Sequence, residues 1–166
     1  MDLSILNKHV FDLTNQEREK RHSPTLAQNS ILEKASKLHS ENMVKHNFYS
    51  HTDWNNSTFF SPQKRIIYYG GNFQTLGENI YKYHPFQFEK ELLLPPFGMS
   101  FSFGKPTQVL SEFDLATALV RGWMNSWGHR RNILYKGYKY LGVGSKLAIH
   151  SENSKCFIYC TQNFGG

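Results

Sequence analysis

The sequence predicts an α+β domain in which a small antiparallel sheet packs beside three or four helices. Three observations lead to this fold class. Helical periodicity is present in the first 46 residues and again across residues 109–127. A β-rich segment lies near residue 80, and two more lie near the C-terminus. The length of 166 residues, with no shift in composition along the chain, fits a single domain over residues 1–166.

Two helices are predicted at the N-terminus. The first covers residues 3–21 and stops at Ser23-Pro24. The second begins after Asn29, a good N-cap residue. Apolar residues recur at helical spacing: Leu6, Val10 and Leu13 in the first helix, and Leu32, Ala35 and Met43 in the second. His39 lies in this second stripe, where we expect a hydrogen-bonded core residue rather than a ligand.

The chain then becomes turn-rich and aromatic, which predicts a loop with His51 at its tip. A short helix follows, with Ser61 as its N-cap and Pro62 at its first position. Residues 76–83 are expected to form a strand. Glu78, near the start of that strand, is a candidate buried acid.

Residues 84–106 form the least regular stretch and contain four of the six prolines. The absence of a sustained period predicts an irregular loop, inserted into the domain. A connection this long is usually functional or disordered, and its aromatic content argues against disorder. Its aromatic side chains, Phe97, Phe101 and Phe103 among them, either fold back onto the core or form an exposed patch or groove.

A central amphipathic helix is predicted ahead of residue 128. Apolar residues recur at steps of three and four: Val109 or Leu110, Phe113, Ala116 or Thr117, Val120, Trp123 or Met124, and Trp127. Gly128 offers a C-terminal stop. His129 is therefore expected in the first turn after the helix, where its imidazole can point into a cleft, with Arg130 and Arg131 beside it.

Two β-rich segments, residues 138–149 and 155–164, are joined by a predicted turn at 151–154. Cys156 and Cys160 lie four residues apart in the second segment. Four strand residues span roughly 13 Å, whereas disulfide-bonded Cα atoms lie within about 7 Å. We therefore expect no bond between the two cysteines, which are interpreted as small buried apolar residues.

The charge and hydropathy exclude several classes of protein. The net charge is +6 and the pI is about 9.3, but the basic residues are scattered and form no nucleic-acid-binding module. We expect a solvated basic face and no nucleic-acid partner. No apolar run approaches the roughly 20 residues that a membrane-spanning helix needs. The N-terminus lacks the features of a signal peptide, which leaves a cytosolic protein or one whose leader has been removed.

Six segments of the sequence together resemble the CAP superfamily of cysteine-rich secretory, antigen 5 and pathogenesis-related proteins, in its short bacterial form. They occur in family order: Phe48-Tyr-Ser-His51, Ser61-Pro-Gln-Lys-Arg65, Gly77-Glu-Asn-Ile80, Trp123 to Leu134, Leu141-Gly-Val-Gly144 and Thr161-Gln-Asn-Phe-Gly165. Asn15, Arg18, Ala35, His39 and Met43 also fit the pattern. The resemblance implies a three-layer α-β-α sandwich with the small antiparallel sheet between helices, and a cleft lined by two histidines and two glutamates.

On this resemblance His51 and His129 match the cleft histidines, and Glu78 matches the first glutamate. Ser126 stands where the family has its second glutamate. We expect His51, Glu78 and His129 to converge on one solvent-open cleft. The resemblance suggests that zinc or another divalent metal binds weakly at the two histidines, with Glu78 nearby, because two imidazoles and a carboxylate suffice for zinc with an open water position. The alternative is a hydrogen-bonded polar cleft that fixes the loops.

The resemblance implies a secreted or surface-attached binding protein, anchored through an upstream lipid or freely released. Its expected partner is a lipid or sterol, or a protein at a host or cell surface, with Phe97, Phe101 and Phe103 as candidate ligand contacts. We expect a monomer. The alternative is a metal-dependent hydrolase, a protease or esterase, with Glu78 or a histidine as general base. No oxyanion-hole motif is visible around Ser126, which favours the binding protein.

Overall fold

The structure, a computed structural model, describes the backbone of residues 1–94, 99–150 and 155–166 and the side chains of 1–87, 107–149 and 156–166. Helices and strands alternate irregularly along these ranges. The helices are α1 (Leu3–Glu19), α2 (Ser30–Lys45), α3 (Pro62–Tyr68), α4 (Glu112–Asn125) and α5 (Trp127–Leu134). The strands are β1 (Ala27–Gln28), β2 (Leu76–Tyr83), β3 (Phe86–Leu94), β4 (Met99–Val109), β5 (Tyr140–His150) and β6 (Lys155–Gly165).

The first three helices begin at capping residues, two of which were predicted. The side chain of Asn29 accepts hydrogen bonds from the backbone N–H groups of Ile31 and Leu32. The hydroxyl of Ser61 accepts from Lys64, one turn into α3. Such caps satisfy N–H groups that have no partner inside the helix. Helix α1 ends at Glu19, slightly earlier than predicted, and its N-cap is Asp2.

The main sheet has four strands in the order β1-β5-β6-β2. The β5–β6 and β2–β6 pairs are antiparallel, as predicted. The two-residue strand β1 was not predicted, and it pairs in parallel with β5, Ala27 opposite Tyr140. The predicted turn at 151–154 lies outside the described residues.

Strand β6 shows how helices cover both faces of the sheet. Successive strand residues point to opposite faces. Ile158, Cys160 and Phe164 pack into the core cluster that α1 and α4 share. On the other face, Thr161 and Asn163 hydrogen-bond to Ser40 and Ser36 of α2. The result is the three-layer α-β-α sandwich that the resemblance implied, within an α+β fold.

The prediction of an irregular loop over residues 84–106 is wrong. Strands β3 and β4 pair there as a separate antiparallel hairpin, closed by a hydrogen bond from Leu110 N–H to the Pro85 carbonyl. Pro85 precedes β3, and Pro106 lies where the register shifts, positions at which strands tolerate proline. The side chains of Phe97, Phe101 and Phe103 lie outside the described part of the chain.

The prediction of one helix that stops at Gly128 is also wrong. Helix α4 ends at Asn125, Ser126 is extended with φ −96° and ψ 123°, and Gly128 and His129 lie inside α5. Phe113 and Trp127 of the predicted stripe are 52% and 64% exposed. The buried stripe of α4 instead comprises Leu115, Ala116, Leu119, Val120, Trp123 and Met124. The backbone change at Ser126 turns Trp127 away from this stripe.

The remaining sequence predictions concern the cysteines and the membrane. Cys156 and Cys160 are both free thiols, and Cys160 is fully buried, which raises the pKa of its thiol. Cys156 is only partly buried. Within the described ranges, every helix is too short or too polar to cross a bilayer.

Candidate functional site

The structure brings the loop before α3, the start of β2 and helix α5 next to one another, and we call the region between them the cleft. His51 Nδ1 lies 2.9 Å from Glu78 Oε1. Asn79 donates to the backbone carbonyl of His129 over 3.2 Å, and Asn132 donates to the carbonyl of Glu78 over 3.1 Å. These hydrogen bonds fix β2 against α5. His51 and Glu78 are therefore in contact, and His129 lies on the helix that is hydrogen-bonded to the strand of Glu78. That all three side chains face one solvent-open cleft stays a prediction.

Arg65 is the buried cation that supports this cleft. Its side chain is fully buried, and Nη2 donates to Glu78 Oε2 over 2.7 Å and to the His51 carbonyl over 3.1 Å. Nη1 donates to the Phe59 carbonyl over 2.8 Å. One guanidinium therefore holds both the acid and the loop that carries His51. Sequence analysis did not give this residue a role.

Glu78 is an ionised carboxylate with both oxygens engaged. Burial opposes its ionisation, but the hydrogen bond from His51 and the charge and hydrogen bond of Arg65 outweigh burial and lower its pKa. A buried carboxylate remains charged only when it is paired and hydrogen-bonded in this way.

His39 lies beneath the cleft, and the structure adds it to the site. Its ring is fully buried, with Nε2 2.9 Å from the Ser50 carbonyl and 3.7 Å from Glu78 Oε1. Burial lowers the pKa of His39 to about 4, so the imidazole is neutral at pH 7. The expected hydrogen-bonded core residue is found, but Nδ1 has no hydrogen-bond partner among the described residues.

His129 occupies the opposite wall of the cleft. Burial, and then the charge of His51, lower the pKa of His129 to about 4. Its Nδ1 is buried and has no hydrogen-bond partner in the described part of the chain. Ser126, at the junction of α4 and α5, makes no side-chain capping bond to α5 among the described contacts. This wall therefore contributes a neutral imidazole and no carboxylate at position 126.

The loop that carries His51 is held from below by Asp53. Asp53 is fully buried, and its side chain accepts hydrogen bonds from Asn42 Nδ2 at 2.9 Å and from Asn55 N–H at 3.0 Å. Its own N–H donates to the Phe60 carbonyl. These contacts give the loop a fixed shape, so that His51 is presented with half of its side chain exposed.

A divalent metal has two candidate ligands here. Zinc in catalytic sites takes three protein ligands and a water. His51 and His129 can each supply a nitrogen, but the oxygens of Glu78 already accept from Arg65 and His51. Among the described residues no group of three His, Cys, Asp or Glu side chains is arranged to hold a metal ion. The residues present therefore do not make up a complete catalytic zinc site.

Comparison with known proteins gives a match over most of the chain. Residues 11–164 match the model of the family described as CAP, the cysteine-rich secretory protein family. The chain is 30% identical over 142 residues to Bacillus subtilis "Uncharacterized protein YkwD", covering 86% of this chain and 43% of that protein. It is 28% identical over 147 residues to B. subtilis "Uncharacterized membrane protein YlbC", covering 88% of this chain and 33% of that protein. The chain thus spans less than half of these relatives.

Solved structures share the fold. An extracellular protein containing an SCP domain from Bacillus anthracis aligns with TM-score 0.64 and 27% identity, over 96% of this chain and 40% of that one. An outer surface protein from Borrelia burgdorferi aligns with TM-score 0.63 and 17% identity, over 99% and 95% of the two chains. At 17% identity the second match supports the fold alone.

Proposed function

The chain belongs to the CAP family of cysteine-rich secretory proteins, and from that membership we propose that it is a non-catalytic recognition domain that acts outside the cell. The SCP-domain protein of B. anthracis is described as extracellular, which supports this location. Secretion or attachment through an upstream lipid are both compatible with the proposal.

The engagement of Glu78 is the observation that carries the proposal. A general base must be free to take a proton from a substrate or water. Glu78 is ion-paired with Arg65, hydrogen-bonded to His51 and only 8% exposed, and its pKa is lowered. Breaking the ion pair between Glu78 and Arg65 would leave a buried charge unpaired, at a cost of several kcal/mol. We therefore assign Glu78 to holding the cleft together.

The proposed partner is a molecule at a host or cell surface. Three large aromatic side chains are exposed on or near the elements that carry the cleft histidines: Tyr49, Trp54 and Trp127, at 49%, 78% and 64%. Tyrosine and tryptophan are enriched among residues that dominate binding energy. Their exposure favours a recognition surface over a closed reaction chamber.

A lipid or sterol ligand is a second candidate within the same function. A groove of about 300 Å³ between α1 and α4 is lined by apolar Leu13, Val120 and Met124 and by Arg121. Lys20 and Arg21 also line it, but both are paired with Glu17. The mixed apolar and cationic lining suits an anionic amphiphile. However, Val120 and Met124 are only 4% and 7% exposed, so a lipid tail would have to open the groove. The surface partner is therefore the stronger proposal.

The competing function is a metal-dependent hydrolase. One contact favours it, because Glu78 orients the imidazole of His51 as carboxylates orient metal-ligating histidines. His51 and His129 would then hold zinc or another divalent ion, which supplies Lewis acidity for hydrolysis. The missing third protein ligand in the described residues, and Ser126 in place of a glutamate, count against this function.

An activity assay separates the two functions. Casein and a nitrophenyl ester are incubated with the wild-type protein, with and without added zinc. Glu78→Gln can unfold the chain, so His129→Gln, which leaves the Arg65–Glu78 pair intact, is the second variant. We expect no turnover above buffer in any sample. Zinc-dependent turnover that disappears in a folded His129→Gln variant would establish the hydrolase instead.

A further inference from the structure

A second concavity lies beside the cleft, along the face of α5 next to His129. Its volume is about 410 Å³, within the range of small-ligand sites. We call it the α5 groove, and its principal lining residues are Leu76, Trp127, Arg131, Asn132, Tyr135 and Tyr138. Asn132 belongs to both sites, because its amide donates to the carbonyl of Glu78. The α5 groove therefore extends the cleft.

We propose that the α5 groove binds an acidic oligosaccharide, that is, a chain of sugar rings bearing carboxylates. This inference rests on the proposed recognition function and names its ligand. Three features of the groove lead to this class: a fixed aromatic wall, a planar amide and a local excess of positive charge.

The aromatic wall continues from the core to the surface. Tyr138 stacks on buried Phe164 with ring centroids 5.3 Å apart, and Tyr135 meets Tyr138 edge-on at 4.8 Å. Gly77 and Gly137 lie where any side chain would collide with the rings of Tyr138 and Tyr135. The wall is thus rigid before a ligand arrives, which lowers the entropic cost of binding.

Two aromatic side chains of the groove remain in contact with water. Trp127 is 64% exposed and Tyr135 is 46% exposed. The C–H face of a sugar ring is apolar and flat enough to cover an aromatic ring, whereas its hydroxyls need polar partners. Asn132 provides one. Its amide nitrogen donates to the Glu78 carbonyl and to Asn79 Oδ1, which leaves its oxygen as an acceptor for a ligand hydroxyl.

The positive charge around the groove favours an anionic ligand. Arg131 lies over the Trp127 ring, with its guanidinium carbon 5.6 Å from the ring centroid. Lys136 and Lys139, in the segment that follows α5, are both exposed. Among the residues that line the groove, Arg131 is cationic and none is acidic. An anionic group on the ligand would meet Arg131 directly beside the stacking surface of Trp127.

The test uses oligosaccharides of matched length. Hyaluronan hexasaccharide is the carboxylated probe, chitohexaose the neutral probe, and poly-L-glutamate and an oligothymidylate are anionic probes without the same sugar. Binding is followed by calorimetry and by tryptophan fluorescence. We expect saturable binding of hyaluronan hexasaccharide, and much weaker binding of the other three. An additional titration with the anionic glycan fraction of bacterial cell walls distinguishes a host source of the ligand from a bacterial source.

Variants locate the site. Trp127→Ala and Arg131→Gln should each weaken hyaluronan binding by about tenfold, which corresponds to about 1.4 kcal/mol and lies in the range of ring stacking and of a hydrogen bond to a charged group. Phe113→Ala is the matched control. It removes an aromatic side chain on α4 that is 52% exposed and lies outside the groove, and binding should be unchanged. Circular dichroism verifies that each variant is folded.

Three results would overturn the inference. Equal binding of poly-L-glutamate or oligothymidylate, unaffected by Trp127→Ala, would reduce it to general attraction between opposite charges. A loss of binding in Phe113→Ala but not in Trp127→Ala would place the site elsewhere. If neither hyaluronan nor the bacterial glycan fraction binds, the proposed ligand class is rejected. The proposal of a non-catalytic domain is tested separately, by the turnover assay.

Discussion

The two walls of the cleft are built differently. The His51 wall, residues 51–65, is fixed by buried charges, because Arg65 and Asp53 each make several hydrogen bonds to the loop and its supports. The His129 wall, residues 126–135, begins at a helix without a side-chain cap among the described contacts. It also carries an unpaired Nδ1 of His129, within the described residues, and an exposed Trp127.

From this difference we infer that the His51 wall holds the site in shape and that the His129 wall contacts the ligand. Polar groups that make several hydrogen bonds give a fixed geometry and have little left to offer a ligand. Arg65 is engaged in this way, although its Nε has no partner among the described residues. The His129 wall places the amide of Asn132 and the exposed rings of Trp127 and Tyr135 together in the α5 groove, whereas the exposed Trp54 of the His51 wall lies outside that groove. Natural proteins depart from local stability rules mainly where they function. We therefore place the binding surface of the cleft on the His129 side.

The largest expected effect on stability comes from removing Arg65, which supports the His51 wall. Arg65→Met should lower the free energy of unfolding by about 3–5 kcal/mol, because it leaves the buried Glu78 carboxylate without its cation. Arg131→Met on the other wall should change it by less than about 0.5 kcal/mol, since Arg131 is exposed. Urea unfolding measures both. Similar losses of unfolding free energy in Arg65→Met and Arg131→Met would contradict the view that buried charges fix only the His51 wall.

Acid should act on buried His39 and on half-buried His129. Both have a pKa lowered to about 4, whereas the unfolded chain titrates near 6.5. Their contribution to stability is complete above pH 6.5 and is lost as the pH falls towards 4, because the unfolded state then binds protons that the native state excludes. For buried His39 this amounts to about 3 kcal/mol. His129, nearer to solvent, contributes less.

The pH dependence is measured by urea unfolding at several pH values between 7 and 4. His39→Gln should flatten the profile more than His129→Gln does. If the free energy of unfolding of His39→Gln falls with pH as steeply as that of the wild type, His39 is not responsible for the loss of stability in acid.

The smallest expected effect concerns the uncapped end of α5. Ser126→Asp should raise stability by about 0.5–1 kcal/mol, because a carboxylate can accept the free N–H groups and interacts favourably with the helix dipole. The matched change is Ser111→Ala at the start of α4. There the hydroxyl already accepts from Asp114 N–H at 3.1 Å, and its loss should cost about 1 kcal/mol. Thermal unfolding compares the two. Destabilisation by Ser126→Asp would mean that the α5 terminus is already satisfied.

Local signals predicted most of the fold. Helices α1 to α3 and strands β2, β5 and β6 follow from periodicity and from caps such as Asn29 and Ser61, which act over a few residues. The β3–β4 hairpin was missed, because pairing between distant residues leaves no local period and prolines obscured it. The break at Ser126 was missed because neither glycine nor proline marks it.

The candidate site depended on the family resemblance, because His51, Glu78 and His129 lie on three separate elements. Arg65 was overlooked because arginine is usually exposed. One signal could have indicated it. An acid such as Glu78, next to a glycine in a buried strand, requires a cation nearby. His39 was placed in the core correctly, but nothing in its spacing revealed that Glu78 lies 3.7 Å away.

Arg65 also bears on the order in which the chain folds. Its contacts with Phe59, Glu78 and His51 span 6, 13 and 14 residues. The contacts of Arg18 with Ile133 and Tyr135, which anchor the end of α5, span 115 and 117. Closing the longer loops costs about 2 kcal/mol more in chain entropy. Short-range contacts also form faster. The half of the cleft around His51 should therefore assemble first, and the half around α5 only when the chain ends meet.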